Sequence, residues 1–186
     1  MARSLAFRRR RIVGAALVFT LTGAGSITPA AAQTPSAPRC DGPEYRAFDF
    51  WLGVWDVATP KGATAGVNEI TAEENGCLIV ERWRGAGGST GQSYNYIDPS
   101  TNEWRQIWVS NAFTIDYAGG LDGAGAMVLE GKIAYRANGQ TAPFRGKWVL
   151  RDDGALEQSF HQFNPETEEW TPWFTGIYTK RTAPGE

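Results

Sequence analysis

The chain has 186 residues, 42% of them apolar and 20% charged, with 18 basic and 20 acidic side chains. Five of the arginines fall within residues 1–32, so the remainder sets 13 basic groups against 20 acidic ones, a net charge of about −7 that argues against nucleic acid or an anionic membrane surface as partner. About 150 residues beyond that segment suit one domain, and no apolar run reaches the ~20 residues of a membrane-spanning helix.

In chain order, the first segment pairs four arginines, Arg8 to Arg11, with an apolar stretch from Ile12 to about Leu21 and then Ala30-Ala31-Ala32. This is the pattern of a secretory signal peptide over 1–32, with a small-residue cleavage site. A Sec signal and a twin-arginine signal both fit the basic cluster. Either predicts a periplasmic or secreted protein with no integral membrane segment once the signal is removed.

Residues 33–44 hold three prolines and no apolar period, and read as a linker leading to a domain at 45–182. The two cysteines, Cys40 and Cys77, form an even pair in an exported chain, which predicts a disulfide; two free buried thiols are the alternative. Closing that loop of about 37 residues stabilises by ~3–4 kcal/mol in the chain-entropy estimate.

"EYRAFDFWLG" follows. Tyr45, Phe48 and Leu52 stand at helical spacing before Gly53, which predicts one short helical turn. Beyond it no helical period lasts three turns, and short runs rich in aromatic and β-branched residues recur. Strands are predicted at 53–59, 65–72, 76–84, 91–97, 103–109, 113–118, 126–131, 142–151, 155–163 and 169–181, with turn residues between them in "TPKG", "EENG", "GAGGST", "DPSTN", "DGAG", "RANG", "DDG" and "NPETE". Ten antiparallel strands in sequence order would leave two long edges if flat, so the expected fold is all-β, an up-and-down barrel of about ten strands.

Gly53-x-Trp55 at the start of the first strand, after a short helical segment, is similar to the opening of lipocalin and fatty-acid-binding (calycin) barrels. With "FDFWLGVWDV", "NEI", "GCLIVERWRGAGGSTGQSYNYIDPSTNEWRQIWV", "GAMVLEG" and "WFTGIYTKR", residues 46–181 resemble a group of uncharacterised exported bacterial proteins with a lipocalin-like domain. The resemblance implies a barrel closed below by the indole of Trp55, with Gly53 letting the preceding segment pass close beneath. Members of the group tend to carry an acidic residue where this chain has His161, which implies that a shared site does not depend on that histidine.

Strand alternation sorts side chains by face. Ile79, Glu81 and Trp83 share one face of their strand and Leu78, Val80, Arg82 and Arg84 the other; Trp104, Gln106 and Trp108 lie together on another strand. Polar groups mixed with tryptophans suggest a cavity rather than a dry core. The candidate lining is Asn68, Glu81, Trp83, Ser93, Asn95, Gln106, Trp108, Trp148, Gln158 and Phe160. Arg82 replaces Glu81 if the register is reversed, and both become surface ion-pair partners if that face is solvated.

"GGSTG", residues 87–91, matches a nucleophile elbow with Ser89 as nucleophile, but an elbow needs a following helix, and "QSYNYID" reads as a strand. A glycine-rich hairpin loop at the rim, able to serve as a portal, is the better reading. The acidic pairs Glu73-Glu74, Asp152-Asp153 and Glu168-Glu169 fall at turns and point to opposite faces, so they suit solvated caps. His161 is the only histidine, which excludes multi-histidine metal sites; its alternation places it with Glu157, Ser159 and Phe163.

Three functions follow. The leading expectation is an exported carrier of a small apolar or amphipathic molecule, with no catalytic residues, no metal and no cofactor. The others are an isomerase, cyclase or hydrolase with Glu81 as general base, and a haem protein using His161, as the related nitrobindin barrels hold haem through one histidine.

Overall fold

Alternating inward and outward side chains can bury a core only if the sheet closes or a second layer covers it, and here it closes. The structure, a computed structural model, describes residues 40–181; the expected signal segment and most of the expected linker lie outside them. Ten strands follow one another: β1 (Gly53–Ala58), β2 (Thr64–Glu73), β3 (Leu78–Gly85), β4 (Thr90–Asp98), β5 (Glu103–Ser110), β6 (Phe113–Leu121), β7 (Met127–Tyr135), β8 (Thr141–Leu150), β9 (Leu156–Asn164) and β10 (Glu169–Lys180). Each pairs antiparallel with its neighbours in sequence, and β1 pairs with β10 to complete a lipocalin/fatty-acid-binding-protein-like barrel.

The strand limits depart from the expected ones where glycine or a covalent link intervenes. β6 continues past 118 through Gly119-Gly120 to Leu121, and β7 past Gly131 to Tyr135, beyond the expected ends. Pairing to Leu129 and Val128 holds the first pair, and Gly131 and Lys132 pair with Phe144 and Pro143. β3 begins at Leu78 rather than 76, because residues 74–76 form a 3₁₀ turn leading into the disulfide Cys40–Cys77.

The expected helical turn is present in two pieces, α1 (Pro43–Arg46) and a 3₁₀ turn at Asp49–Trp51. Its first residue, Pro43, precedes Tyr45 by two. Pro43 suits the first helical position, where no donor is needed. Arg46 then fastens the piece by donating to the carbonyls of Cys40 and Gly76, both at 3.0 Å, and Trp104 Nε1 donates to the Glu44 carbonyl at 3.2 Å.

This segment drives Phe48 and Trp51, both with no exposed surface, into the adjacent end of the barrel. Phe48 stacks on Trp51 at 4.8 Å between ring centroids and meets Trp148 edge-on at 5.2 Å and Trp104 at 5.6 Å. Such pairs contribute ~0.5–1.5 kcal/mol each beyond area burial. Trp55 Nε1 donates to the Trp51 carbonyl at 2.9 Å, so the plug is bonded to β1.

Gly53 has φ of +130°, a conformation costly to any residue with a Cβ, and a Cβ there would stand 2.8 Å from Lys180 Cε. The glycine thus turns the chain from plug into sheet and makes room for Lys180, whose Nζ lies 5.5 Å from the centre of the Trp55 ring.

Candidate functional site

Because the plug fills one end only, the other end stays hollow. A cavity of about 310 Å³ opens there. Its mouth is formed by the β3–β4 loop, with Ser89 and Thr90, and the β5–β6 loop, with Ser110, Asn111 and Ala112. The "GGSTG" segment is accordingly a tight hairpin, Gly85 N–H donating to the Ser89 carbonyl at 2.7 Å and β4 beginning at Thr90. No elbow forms at Ser89, since strand follows strand.

All ten candidate lining residues stand on inward-facing positions, but at different depths. Glu81, Trp83, Gln106, Trp108 and Phe160 line the cavity. Asn68, Ser93, Asn95 and Gln158 do not; they are buried and hydrogen-bonded to groups that do. Trp148 is the correction. Its ring is enclosed by Phe48, Trp51, Tyr117 and Phe160 at 5.2 to 6.1 Å, so it belongs to the packed floor and offers no surface to a ligand.

Further wall residues were missed by the sequence reading: Phe113, Ile115 and Tyr117 of β6, Trp173, Phe174 and Tyr178 of β10, and Ala65. The period-2 spacing of 113, 115 and 117 was a usable signal. Trp173 was hidden, because the register shifts between Pro172 and Phe174 and two consecutive residues face the cavity, which alternation alone does not allow. Trp108 lies flat over Gly91 of β4, where a Cβ would come within 2.2 Å of the indole.

At the bottom of the cavity a belt of eight polar side chains draws on seven strands. Gln158 accepts from the Tyr178 hydroxyl. Asn68 Nδ2 donates to Tyr178 Oη at 3.3 Å and to Glu81 Oε1 at 2.7 Å. Ser93 donates to Glu81 Oε2 at 2.7 Å, and Asn95 Nδ2 donates to Ser93 Oγ at 2.9 Å and to the Ile79 carbonyl at 3.0 Å. Gln106 donates to Asn95 Oδ1, and the Tyr117 hydroxyl donates to Gln106 Oε1. Burying these groups singly would cost several kcal/mol, whereas linked they satisfy one another.

Glu81 is the one buried carboxylate among the described residues, and no Lys, Arg or His is buried with it. Burial pushes its carboxyl up to about 7, the bonds from Ser93 and Asn68 opposing the rise. The hydroxyls of Tyr117 and Tyr178 are raised well above their ordinary range, first by burial and then by the Glu81 charge, so both stay protonated. Trp108 Nε1 and Asn68 Oδ1 have no hydrogen-bond partner among the described residues.

Arg82 points outward, donating to Thr71 Oγ1 and Glu73 Oε1, both at 3.0 Å, which settles the register in favour of Glu81 inside. His161 is likewise on the outer face, paired with Arg145 of β8 and Pro172 of β10 while its neighbour Phe160 faces in. Partial burial and the Arg145 charge lower its pKa. The His161 imidazole is therefore not among the groups that line the cavity.

Compared with known proteins, the chain matches no family model and no curated protein. No helix among the described residues is long and apolar enough to cross a membrane.

Proposed function

We propose that the protein is an exported binding protein that holds a small amphipathic molecule in the barrel, apolar body against the aromatic walls and polar end on the belt. The observation that carries this reading is the one-sided cavity, open at the mouth, walled by Trp83, Trp108, Phe113, Phe160 and Phe174 and floored by hydrogen-bonding groups. A few convergent polar groups in a mostly apolar concavity are the ordinary make-up of a small-molecule site. Export is supported by the signal-like first 32 residues and by the disulfide, a bond that persists in oxidising compartments. Kinship with exported lipocalin-like proteins is part of the same proposal, supported by the barrel and the Gly53-x-Trp55 opening.

Native mass spectrometry of the protein purified from its own source is expected to show an extra mass that denaturation releases. A bare mass, combined with no uptake of the neutral probe N-phenyl-1-naphthylamine, overturns the reading.

A second reading, a proton-transferring isomerase, cyclase or hydrolase, is favoured by one observation: Glu81 has its carboxyl held near neutral pH at the cavity floor, where a general base works well. Turnover that rises through about pH 7 and is lost in Glu81→Gln separates it from simple binding.

A further inference from the structure

The cavity floor is unusual in what it has left to offer. All three hydroxyl protons of the belt are already spent: Ser93 on Glu81, Tyr117 on Gln106 and Tyr178 on Gln158. Glu81 receives one bond on each oxygen, and each carboxylate oxygen has capacity for a second. Asn68 Oδ1 is also without a donor among the described residues. Trp108 Nε1 is an unpartnered donor higher on the wall, but the unspent capacity at Glu81 and Asn68 is acceptor, and a ligand that complements these two brings N–H donors.

The charge balance points the same way. Residues facing Glu81 are Asn68 and Ile70 on β2, Ser93 on β4 and, across the belt, Gln106, Tyr117, Gln158 and Tyr178. The only titratable groups among them are the two protonated tyrosines, and no Lys, Arg or His lines the cavity. Among the described residues the ion pairs lie toward the surface, as in Arg105–Asp116 and Arg181–Asp56, and no Lys, Arg or His is buried, so an ionised Glu81 finds no buried cation among them. Above it the wall presents aromatic faces, with Trp83 and Phe174 at 6.4 Å and Phe160 and Phe174 at 6.1 Å between centroids. Aromatic faces attract a desolvated ammonium through the ring quadrupole.

We propose that the cavity takes a protonated amine with a compact aromatic or apolar body, its ammonium seated on Glu81 beneath Trp83, Trp108, Phe160 and Phe174. The inference rests on the reading of the cavity as a ligand site. An alkyl ammonium keeps its charge between pH 6 and 8 while Glu81, with its carboxyl at about 7, goes from about one tenth to about nine tenths ionised. Amine binding then strengthens about tenfold over that interval, because only the carboxylate pairs with the cation.

Isothermal titration of the purified protein with phenethylamine, 2-phenylethanol and phenylacetate at pH 6 and pH 8 tests this. The expected order at pH 8 is the amine at least tenfold tighter than the alcohol, with the anion not bound. The amine should tighten about tenfold from pH 6 to 8 while the alcohol does not tighten. Glu81→Gln, of nearly the same shape, should bring the amine down to the alcohol's affinity; the wild-type pH comparison stands if that variant does not fold. Alcohol binding equal to or tighter than the amine's at pH 8, or amine affinity that falls as pH rises, overturns the amine assignment and leaves the cavity reading intact. No binding of any of the three, with N-phenyl-1-naphthylamine also excluded, overturns both.

Discussion

At the closed end of the barrel Phe48, Trp51, Trp104 and Trp148 pack against one another, face to face or edge-on, at 4.8 to 5.6 Å, whereas at the open end Trp83, Trp108, Phe113 and Trp173 stand around a cavity of about 310 Å³. The residue types are the same and the strands continuous between them. What separates the two ends is a segment outside the sheet: α1 and the 3₁₀ turn enter one end, and the Cys40–Cys77 bond pins them to the β2–β3 connection. Aromatic content by itself does not make a site. Rings become a core where something packs against their faces and a cavity wall where nothing does.

The sharpest way to break this comparison is to remove one ring from each end. Trp148→Ala, deleting a fully buried indole, is expected to cost ~3–5 kcal/mol of stability in urea unfolding; a loss below about 1.5 kcal/mol would mean that the floor is not packed. Reduction of Cys40–Cys77, or its double replacement by serine, removes a cross-link spanning 37 residues and is expected to cost ~4 kcal/mol. That loss should fall on the plugged end, so amide exchange should accelerate at Phe48–Trp51 more than at β5 and β6.

Between the two ends lies the belt, and pH probes it. The Glu81 carboxyl rises from 4.5 to about 7 on folding, so the folded protein holds this proton more tightly than the unfolded chain. Its favourable contribution is complete below about pH 4.5 and is lost as pH climbs to about 7, a decline on the order of 3 kcal/mol. Urea midpoints taken across that interval should fall in the wild type and stay level in Glu81→Gln; parallel curves would remove Glu81 as the cause.

The smallest effect on stability belongs to the open end. Trp108→Ala, removing a half-buried ring with the cavity beside it, should cost only ~1–2 kcal/mol in stability, yet weaken ligand uptake at least tenfold. Unchanged uptake of N-phenyl-1-naphthylamine by this variant would take Trp108 out of the binding wall.

Much of the molecule was legible because strands report themselves locally. Period-2 alternation put Asn68, Glu81, Ser93, Asn95, Gln106 and Gln158 among the candidates for the interior, though it left Glu81 and Arg82 to exchange faces with the register, and the glycine, asparagine and aspartate turns pointed to the strand count. Depth along the barrel was not legible. Alternation says in or out and is silent on how far from the plug a residue lies, so Trp148 and Trp108 looked equivalent. The bulge at Pro172–Phe174 broke the period and concealed Trp173.

Backbone period and turn chemistry point to an all-β chain of about ten strands and sort each strand's side chains into two faces, and simple counting makes a Cys40–Cys77 bond the expectation against two free thiols. Tertiary structure alone decides which face of β3 looks inward, that Cys40 and Cys77 are bonded, that β1 meets β10, that one end is stoppered and the other open, and that, among the described residues, a single carboxylate lies buried in a belt of hydrogen bonds with no cation buried beside it. Apart from Ser93–Asn95 within β4, the belt's side-chain pairs join groups 11 to 110 residues apart, where no local period reaches, and they arise only when the closing of the sheet brings the far strands together.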